Sequence, residues 1–509
     1  MAARGAIGTA GLLILIAFGG AFGLGRFYDD WALAAAAQHA IDTRATAAFI
    51  LGPFDQHWAP GWWAFEILNE RLAGWRSDVL IRGAIAGLVF AQALLVGAVA
   101  RRLGAGRAAQ VTAMAVVVLH PVSAAAFYSL DTYAQVLVNL LAWAALSGVL
   151  LAVLASPRAH RVTRRVGLAL VLMGAGLVFK EQALTVGAGM GALTLWVWVA
   201  MPGERAAARP LALGTAGAVL IAMAFTAMRA RMGLWMDPGG PYAVCLTCAP
   251  GNVGLLTGGV LLPMQTLDLY LALREPGTRL PALVAGGLGM AAVASMLVAG
   301  LIRARERGAP VVPLVLLCLS ATFPVLVLAH VGELYANSLV FWAGLLAACA
   351  VEGWRARLET CPARTRHLAA GWLVLALVSL AVNQQLNLGE MRRTGLRAAG
   401  WVARFERALA EVPAGSAVLV RGLDDLKGPA DYSLYRLTTP SLLLRGPVAI
   451  QLARRDLVLL DALDAESLAY WRARAGSQAR LFVADVLPGR IRVGEAAPPP
   501  TAGIPAVAR

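Results

Sequence analysis

Apolar residues recur along this chain in runs long enough to cross the roughly 30 Å core of a bilayer, separated by short polar or basic breaks. The runs fall near residues 7–25, 79–100, 108–127, 132–155, 166–180, 182–200, 211–228, 281–302, 311–329, 336–353 and 368–382. Each predicts a transmembrane helix, about eleven in all. The stretch 166–200 is too long for one helix and carries Lys180-Glu181 at its middle, so a hairpin of two short helices is expected. Residues 252–273 are apolar enough to span, but a span there would invert every later loop. They are expected to form a re-entrant or interfacial helix with Gln265 and Asp268 on its polar side. Apolar positions 64, 65, 68, 72 and 75 have helical spacing and predict a second interfacial helix over 64–76.

Beyond residue 383 the pattern changes. Residues 388–411 read as an amphipathic helix, and 416–420 and 448–460 contain strand-like runs between polar turns. This gives a membrane domain over 1–382, with long loops 26–78 and 229–280, and a small α/β appendage over 383–495. The tail 496–509, with Pro498-Pro-Pro500, is expected to be disordered.

Composition agrees with the pattern. With 59% hydrophobic residues, 14% charged residues and a mean hydropathy of +0.68, the 509-residue chain is not a soluble enzyme. The first apolar run lacks a convincing small-residue cleavage site and is expected to stay as an anchor. A net charge of +15 raises nucleic acid as a partner, but the arginines punctuate the spans and form no stripe. They gather in alternate short loops, at Arg4, Arg101–Arg107, Arg158–Arg165, Arg205–Arg209, Arg303–Arg307 and Arg355–Arg366, which marks those loops as cytoplasmic. The N-terminus is then cytoplasmic. Asp29-Asp30, Lys180-Glu181, Glu333 and the C-terminal appendage fall on the opposite face.

That face carries the candidate chemistry. Two carboxylates at a bilayer surface, Asp29 and Asp30, are costly unless they hold a cation, a metal or a transferable proton; a helix cap needs only one of them. Lys180, one of two lysines in the chain, suits a phosphate held as a point charge with Glu181 orienting it, or a local ion pair across a turn. His120-Pro121 closes the third span, and Glu333-Leu-Tyr335 opens the tenth near His330. Five cysteines are too few for a disulfide framework; Cys245-Leu-Thr-Cys248 reads as a local staple in an outer loop, and Cys318 and Cys349 as core thiols.

Four stretches in series on one face resemble the GT-C superfamily of membrane glycosyltransferases that use polyprenyl-phosphate sugars. They are Tyr28-Asp-Asp30, Gln56-His-Trp-Ala-Pro60 leading to Leu72-Ala-Gly74, Leu119-His-Pro-Val122 and Phe179-Lys-Glu-Gln182. Their order is similar to that in bacterial relatives of the tetratricopeptide-repeat O-mannosyltransferases. The arginine of the aromatic-Arg-Pro element is absent, with Trp58-Ala59 before Pro60, and no 34-residue repeat follows the membrane domain. The resemblance implies an all-α polytopic membrane bundle and an inverting hexosyltransferase of the bacterial inner membrane. Asp30 would be the general base, with Asp29 beside it. Lys180, Glu181, His57, His120, Glu333 and Tyr335 would bind substrate. No cofactor is expected; a divalent metal, if used, would sit on Asp29 and Asp30. The partners implied are a polyprenyl-phosphate sugar, membrane lipids and an acceptor protein, lipid or glycan. A transporter or flippase for a lipid-linked or small anionic substrate is the competing class, although the chain shows no inverted repeat.

Overall fold

A computed structural model describes residues 2–54, 57–130, 132–155, 159–234, 243–261, 291, 293–323, 325–329, 333–424, 437, 439–460, 480–488 and 490–496. Two compact units emerge. The first comprises Met1–Phe22, Ala47–Phe65 and Ile81–Leu388; the second comprises Gly23–Thr46, Glu66–Leu80 and Gly389–Arg509. Residues 23–46 and 66–80, from the long first loop, thus group with the C-terminal region.

The first unit is helical and spans the membrane. Among the described residues six helices are long and apolar enough to cross a bilayer: Val79–Arg102, Tyr133–Ala155, Glu181–Ala200, Ala206–Arg231, Leu334–Leu358 and Ala363–Ala408. The pair Arg107–Leu119 and Pro121–Tyr128, bent by 42°, makes a seventh if it is one broken span. Shorter apolar helices lie at Arg4–Phe18, Leu246–Leu261 and Val311–Ser320. The run 311–329 therefore yields only a ten-residue helix. Ser320 and Thr322 turn their hydroxyls onto the Leu317 and Leu319 carbonyls, and Pro324 disfavours helix at Phe323. The helix over Ala249–Leu261 begins the expected interfacial segment, whose Gln265 and Asp268 lie outside the described residues. A single 46-residue helix, Ala363–Ala408, replaces the separate span and amphipathic helix expected between 368 and 411.

The bend at His120-Pro121 has a chemical origin and a chemical repair. Pro121 offers no N–H to the preceding turn, so carbonyls there lose their helical donors, a cost that a membrane interior makes severe. Gln384 donates to the Val118 carbonyl at 2.8 Å and Asn387 to the Pro121 carbonyl at 3.2 Å. Arg82, fully buried, donates to the Tyr128 carbonyl at the end of the broken span, and the Tyr128 hydroxyl reaches the Ala17 carbonyl. A chain of amides continues inward: Asn337 donates to Ser123 Oγ at 2.8 Å, and Asn139 donates to Asn337 at 2.7 Å. Trp143 stacks on Phe341 at 4.9 Å beside it.

The second unit contains a four-stranded sheet. Its order is Val458–Leu460, Ala417–Arg421, Leu481–Leu487 and Arg490–Ala496, the first three parallel and the last antiparallel. Ala417, Leu419, Leu460 and Leu481 form its core. The run 448–460 splits into a short helix, Val448–Ala453, and the edge strand, and the helix packs against Asp29–Asp42. Gly395 allows the chain at Leu24 to come close, since a Cβ there would collide with the Leu24 carbonyl.

Candidate catalytic site

In the second unit the helix Asp29–Asp42 starts with both aspartates in its first turn, where its dipole favours carboxylates. Neither is the N-cap. That position is Tyr28, at φ 55°, and its side chain makes no capping bond. The reading of one aspartate as the helix cap is thereby corrected: Asp30 lies two positions into the helix, and its Oδ2 reaches back to accept the Phe27 N–H at 3.4 Å. Asp30 is 1% exposed, whereas the Asp29 side chain keeps 30% of its surface. Asp29 Oδ1 lies 3.2 Å from Arg445 Nε, and the Arg445 guanidinium sits 5.3 Å from the Tyr28 ring centroid. The two carboxylates thus turn to different partners. Among the described residues no three His, Cys, Asp or Glu side chains converge to hold a metal.

Beneath Asp30 lies a buried ion cluster. Arg26 Nη2 donates to Glu70 Oε1 at 2.7 Å, and Arg26 Nη1 lies 3.3 Å from both Glu66 Oε1 and the Asp30 carbonyl. Glu66 and Glu70 share one face of the helix Pro60–Leu72 by their i, i+4 spacing. Three buried carboxylates around one guanidinium leave excess negative charge. Burial, opposed by Arg26 and reinforced by Glu66, raises Glu70 from 4.5 to about 7. Between these values the native state keeps a proton that the unfolded chain has released, so the stability from this group is highest below about pH 4.5 and falls as pH rises to about 7. The shift corresponds to at most about 3 kcal/mol. Thermal unfolding of purified protein at pH 5 and pH 8 is expected to show this loss, and Glu70→Gln is expected to flatten it; an unchanged slope in the variant would refute the assignment.

In the first unit the helix Ala159–Leu177 ends in a turn in which the Gly176 carbonyl takes the N–H groups of both Phe179 and Lys180. Lys180 then caps the one-turn helix Glu181–Leu184, giving the expected hairpin. The segment 57–63 lies against this turn. Gly61 donates to the Val178 carbonyl at 3.0 Å, and a Cβ there would meet the Phe179 ring at 2.7 Å. This contact fixes the side chains around the turn. Lys180 is buried, with Nζ 5.0 Å from the Trp62 ring centroid, and Trp62 stacks on Trp63 at 4.8 Å. Glu181 Oε1 lies 3.3 Å from His57 Nδ1. Glu181 pairs with His57 and also attracts the Lys180 ammonium, which rests on an aromatic face, a cation–π arrangement that strengthens when desolvated.

The remaining expected residues differ in their surroundings. His120 Nδ1 accepts the Val122 N–H at 3.2 Å, and Nε2 lies 2.9 Å from the Val260 carbonyl. With Nδ1 an acceptor, Nε2 carries the proton and donates. Both nitrogens are engaged by the backbone, which ties the broken span to the helix Ala249–Leu261. Tyr335 is buried in the one-turn helix Glu333–Ala336. The side chain of Glu333 lies outside the described residues, as do Asp55, Gln56, Asp131 and His330. A disulfide joins Cys245 and Cys248 as expected; of the two expected core thiols Cys349 is buried and Cys318 is half-buried. Sequence reading missed Arg26, Glu66, Glu70, Trp62 and Arg445. The pair Glu66 and Glu70 on one face of a largely apolar helix was a signal for the cluster; nothing local marks Arg445.

These observations define a multi-pass membrane protein with a small α/β appendage and polar clusters at loop ends. No protein-family model matches the chain, and no curated protein sequence does. Among solved structures, ArnT from Cupriavidus metallidurans bound to undecaprenyl phosphate aligns with a TM-score of 0.52 at 14% identity, covering 95% of this chain and 93% of that one. Its apo state gives 0.53 at 13% identity over the same shares. A fainter likeness, TM-score 0.47 at 11% identity over 94% of this chain and 69% of the other, is to AglB from Archaeoglobus fulgidus in complex with an inhibitory peptide and a dolichol-phosphate. At this identity the likeness is one of fold: this chain has the fold of ArnT.

Proposed function

We propose that this chain is a membrane glycosyltransferase that moves a sugar from a polyprenyl-phosphate donor to an acceptor hydroxyl on a protein, lipid or glycan. The observation that carries the reading is Lys180, a buried ammonium on an aromatic face beside the His57–Glu181 pair, in a chain with the fold of ArnT. A fixed positive charge in a water-poor site stabilises the charge that develops on a departing phosphate. ArnT in its solved structure is bound to undecaprenyl phosphate. Accessibility favours Asp29 over Asp30 as the base, because a base must reach the proton it takes and Asp30 is buried. Asp29 accepts the acceptor hydroxyl's proton while that oxygen attacks the anomeric carbon. The bond from that carbon to the phosphate oxygen breaks on the opposite face, polyprenyl phosphate leaves, and the configuration inverts. The alternation of arginine-rich loops supports a bacterial inner-membrane location, with the N-terminus cytoplasmic and both the reaction and the appendage outside.

The test uses undecaprenyl-phosphate-linked mannose and glucose as donor probes in membranes containing the protein. Lys180→Ala is expected to lower transfer by about 10²–10³-fold, and Lys180→Arg to recover part of it. Full transfer by Lys180→Ala would remove the lysine from the reaction. Movement of intact donor across vesicles containing the protein, with no glycosylated product from either probe, would replace this reading with a flippase.

A further inference from the structure

The turn that ends the short helix Pro440–Leu444 has a side chain where the backbone favours none. Arg445 is its C-cap at φ 54° and ψ 57°, the left-handed conformation that glycine adopts freely and other residues adopt at a cost of about 1 kcal/mol. A glycine stands next to it, at Gly446, yet position 445 carries arginine. Its guanidinium faces a second non-glycine at positive φ, Tyr28 at 55°. Among the described residues three non-glycines have positive φ, Tyr28, Arg44 and Arg445, and two of them meet here. Such conformations persist only where surrounding contacts hold them, and they gather at functional sites. The holding contacts are present. The Leu443 carbonyl accepts the Tyr28 N–H and the Trp31 indole N–H, each at 3.1 Å, and Arg445 Nε lies 3.2 Å from Asp29 Oδ1. The ion pair is half-buried, its side chains keeping 40% and 30% of their surface open to screening water, so its modest contribution to stability does not by itself account for an arginine in a glycine-like position.

We propose that Arg445 is a positioning residue for the base: it fixes the Asp29 carboxylate and the Tyr28 ring, so the turn 439–446 sets the geometry of the reacting loop. This rests on the reading of Asp29 as general base. The small α/β appendage thereby has a part in catalysis, because an element more than 400 positions along the chain from the loop holds its carboxylate. A carboxylate swung away by about 1 Å costs on the order of 10²-fold in rate without changing what the donor touches.

Arg445→Gly separates positioning from folding, since glycine suits this backbone and is expected to leave the melting temperature unchanged or raised. With undecaprenyl-phosphate mannose or glucose as donor, kcat is expected to fall about 10–100-fold with the donor KM within twofold of wild type. Millimolar guanidinium is expected to restore part of the Arg445→Gly loss, and Arg445→Lys to retain more activity than Arg445→Gly. A kcat for Arg445→Gly within twofold of wild type overturns the proposal, as does a loss that guanidinium leaves untouched. A change in KM alone overturns it too. Asp29→Asn is measured alongside: if it is inactive while Arg445→Gly is active, positioning alone fails; if it is fully active, the base assignment fails and positioning with it.

Discussion

Asp29→Asn is expected to lower sugar transfer by about 10²–10⁴-fold while leaving the protein folded, the loss typical of removing a general base. Asparagine keeps the size of the side chain and a carbonyl oxygen that can still face Arg445 Nε, but it cannot accept a proton at neutral pH. The partly open surroundings of the side chain keep the accompanying change in stability small. Asp30→Asn makes the informative contrast. Its carboxylate is buried, accepts the Phe27 N–H and attracts the Arg26 guanidinium, so the substitution removes a charge from the ion cluster beneath the loop. The expected pattern is a melting-temperature change with transfer per folded molecule largely kept for Asp30→Asn, and the reverse for Asp29→Asn. Transfer measured against the folded fraction, by size exclusion in detergent, decides between them. The opposite pattern would return the base to Asp30, and full activity in both variants would remove the acidic pair from the chemistry.

The helices and much of the turn chemistry were legible in the sequence because bilayer thickness imposes a length that apolar runs report directly. Val79–Arg102 and Tyr133–Ala155 fall where hydropathy predicts them, and the Lys180 hairpin follows from an apolar stretch too long for one helix. Hydropathy is blind to what repairs a broken span. Gln384, Asn387, Asn139 and Asn337 are polar residues in apolar helices, and only tertiary contact reveals that each satisfies a carbonyl or another amide. The appendage was half legible: Ala417–Arg421 shows as an apolar run, but Arg490–Ala496 alternates charged and apolar positions and looks like a surface segment until it pairs with Leu481–Leu487. The candidate residues of each unit divide in the same way. Asp29, Asp30, His57, Lys180 and Glu181 announce themselves as charges beside apolar spans, whereas the ranking of Asp29 over Asp30 depends on burial, which adjacent identical residues cannot encode.

Arg26→Ala is expected to have the largest effect on stability, about 3–5 kcal/mol at neutral pH, because it strips the partner from carboxylates that stay buried. Arg26, Glu66, Glu70 and Asp30 are each at most 5% exposed, so water cannot readily replace the lost guanidinium. The sign of the pH response follows from the same charges. With Arg26 in place Glu70 already holds its proton to about pH 7; without it, the attraction that favours ionisation is gone and the carboxylates bind protons more tightly still. Acid therefore rescues the variant by neutralising them, and its melting temperature at pH 5 is expected to approach wild type more closely than at pH 8. Glu70→Gln in the Arg26→Ala background is expected to recover part of the loss at pH 8, since it removes a buried charge and keeps a hydrogen-bonding group of the same shape. Arg76→Ala is the control: Arg76 also pairs with a glutamate, Glu406, but its side chain is 67% exposed, and such pairs contribute little. A loss in Arg26→Ala no larger than in Arg76→Ala, or one indifferent to pH, would mean that the cluster is hydrated, and the loop carrying Asp29 would then lack the rigid floor that a fixed base requires.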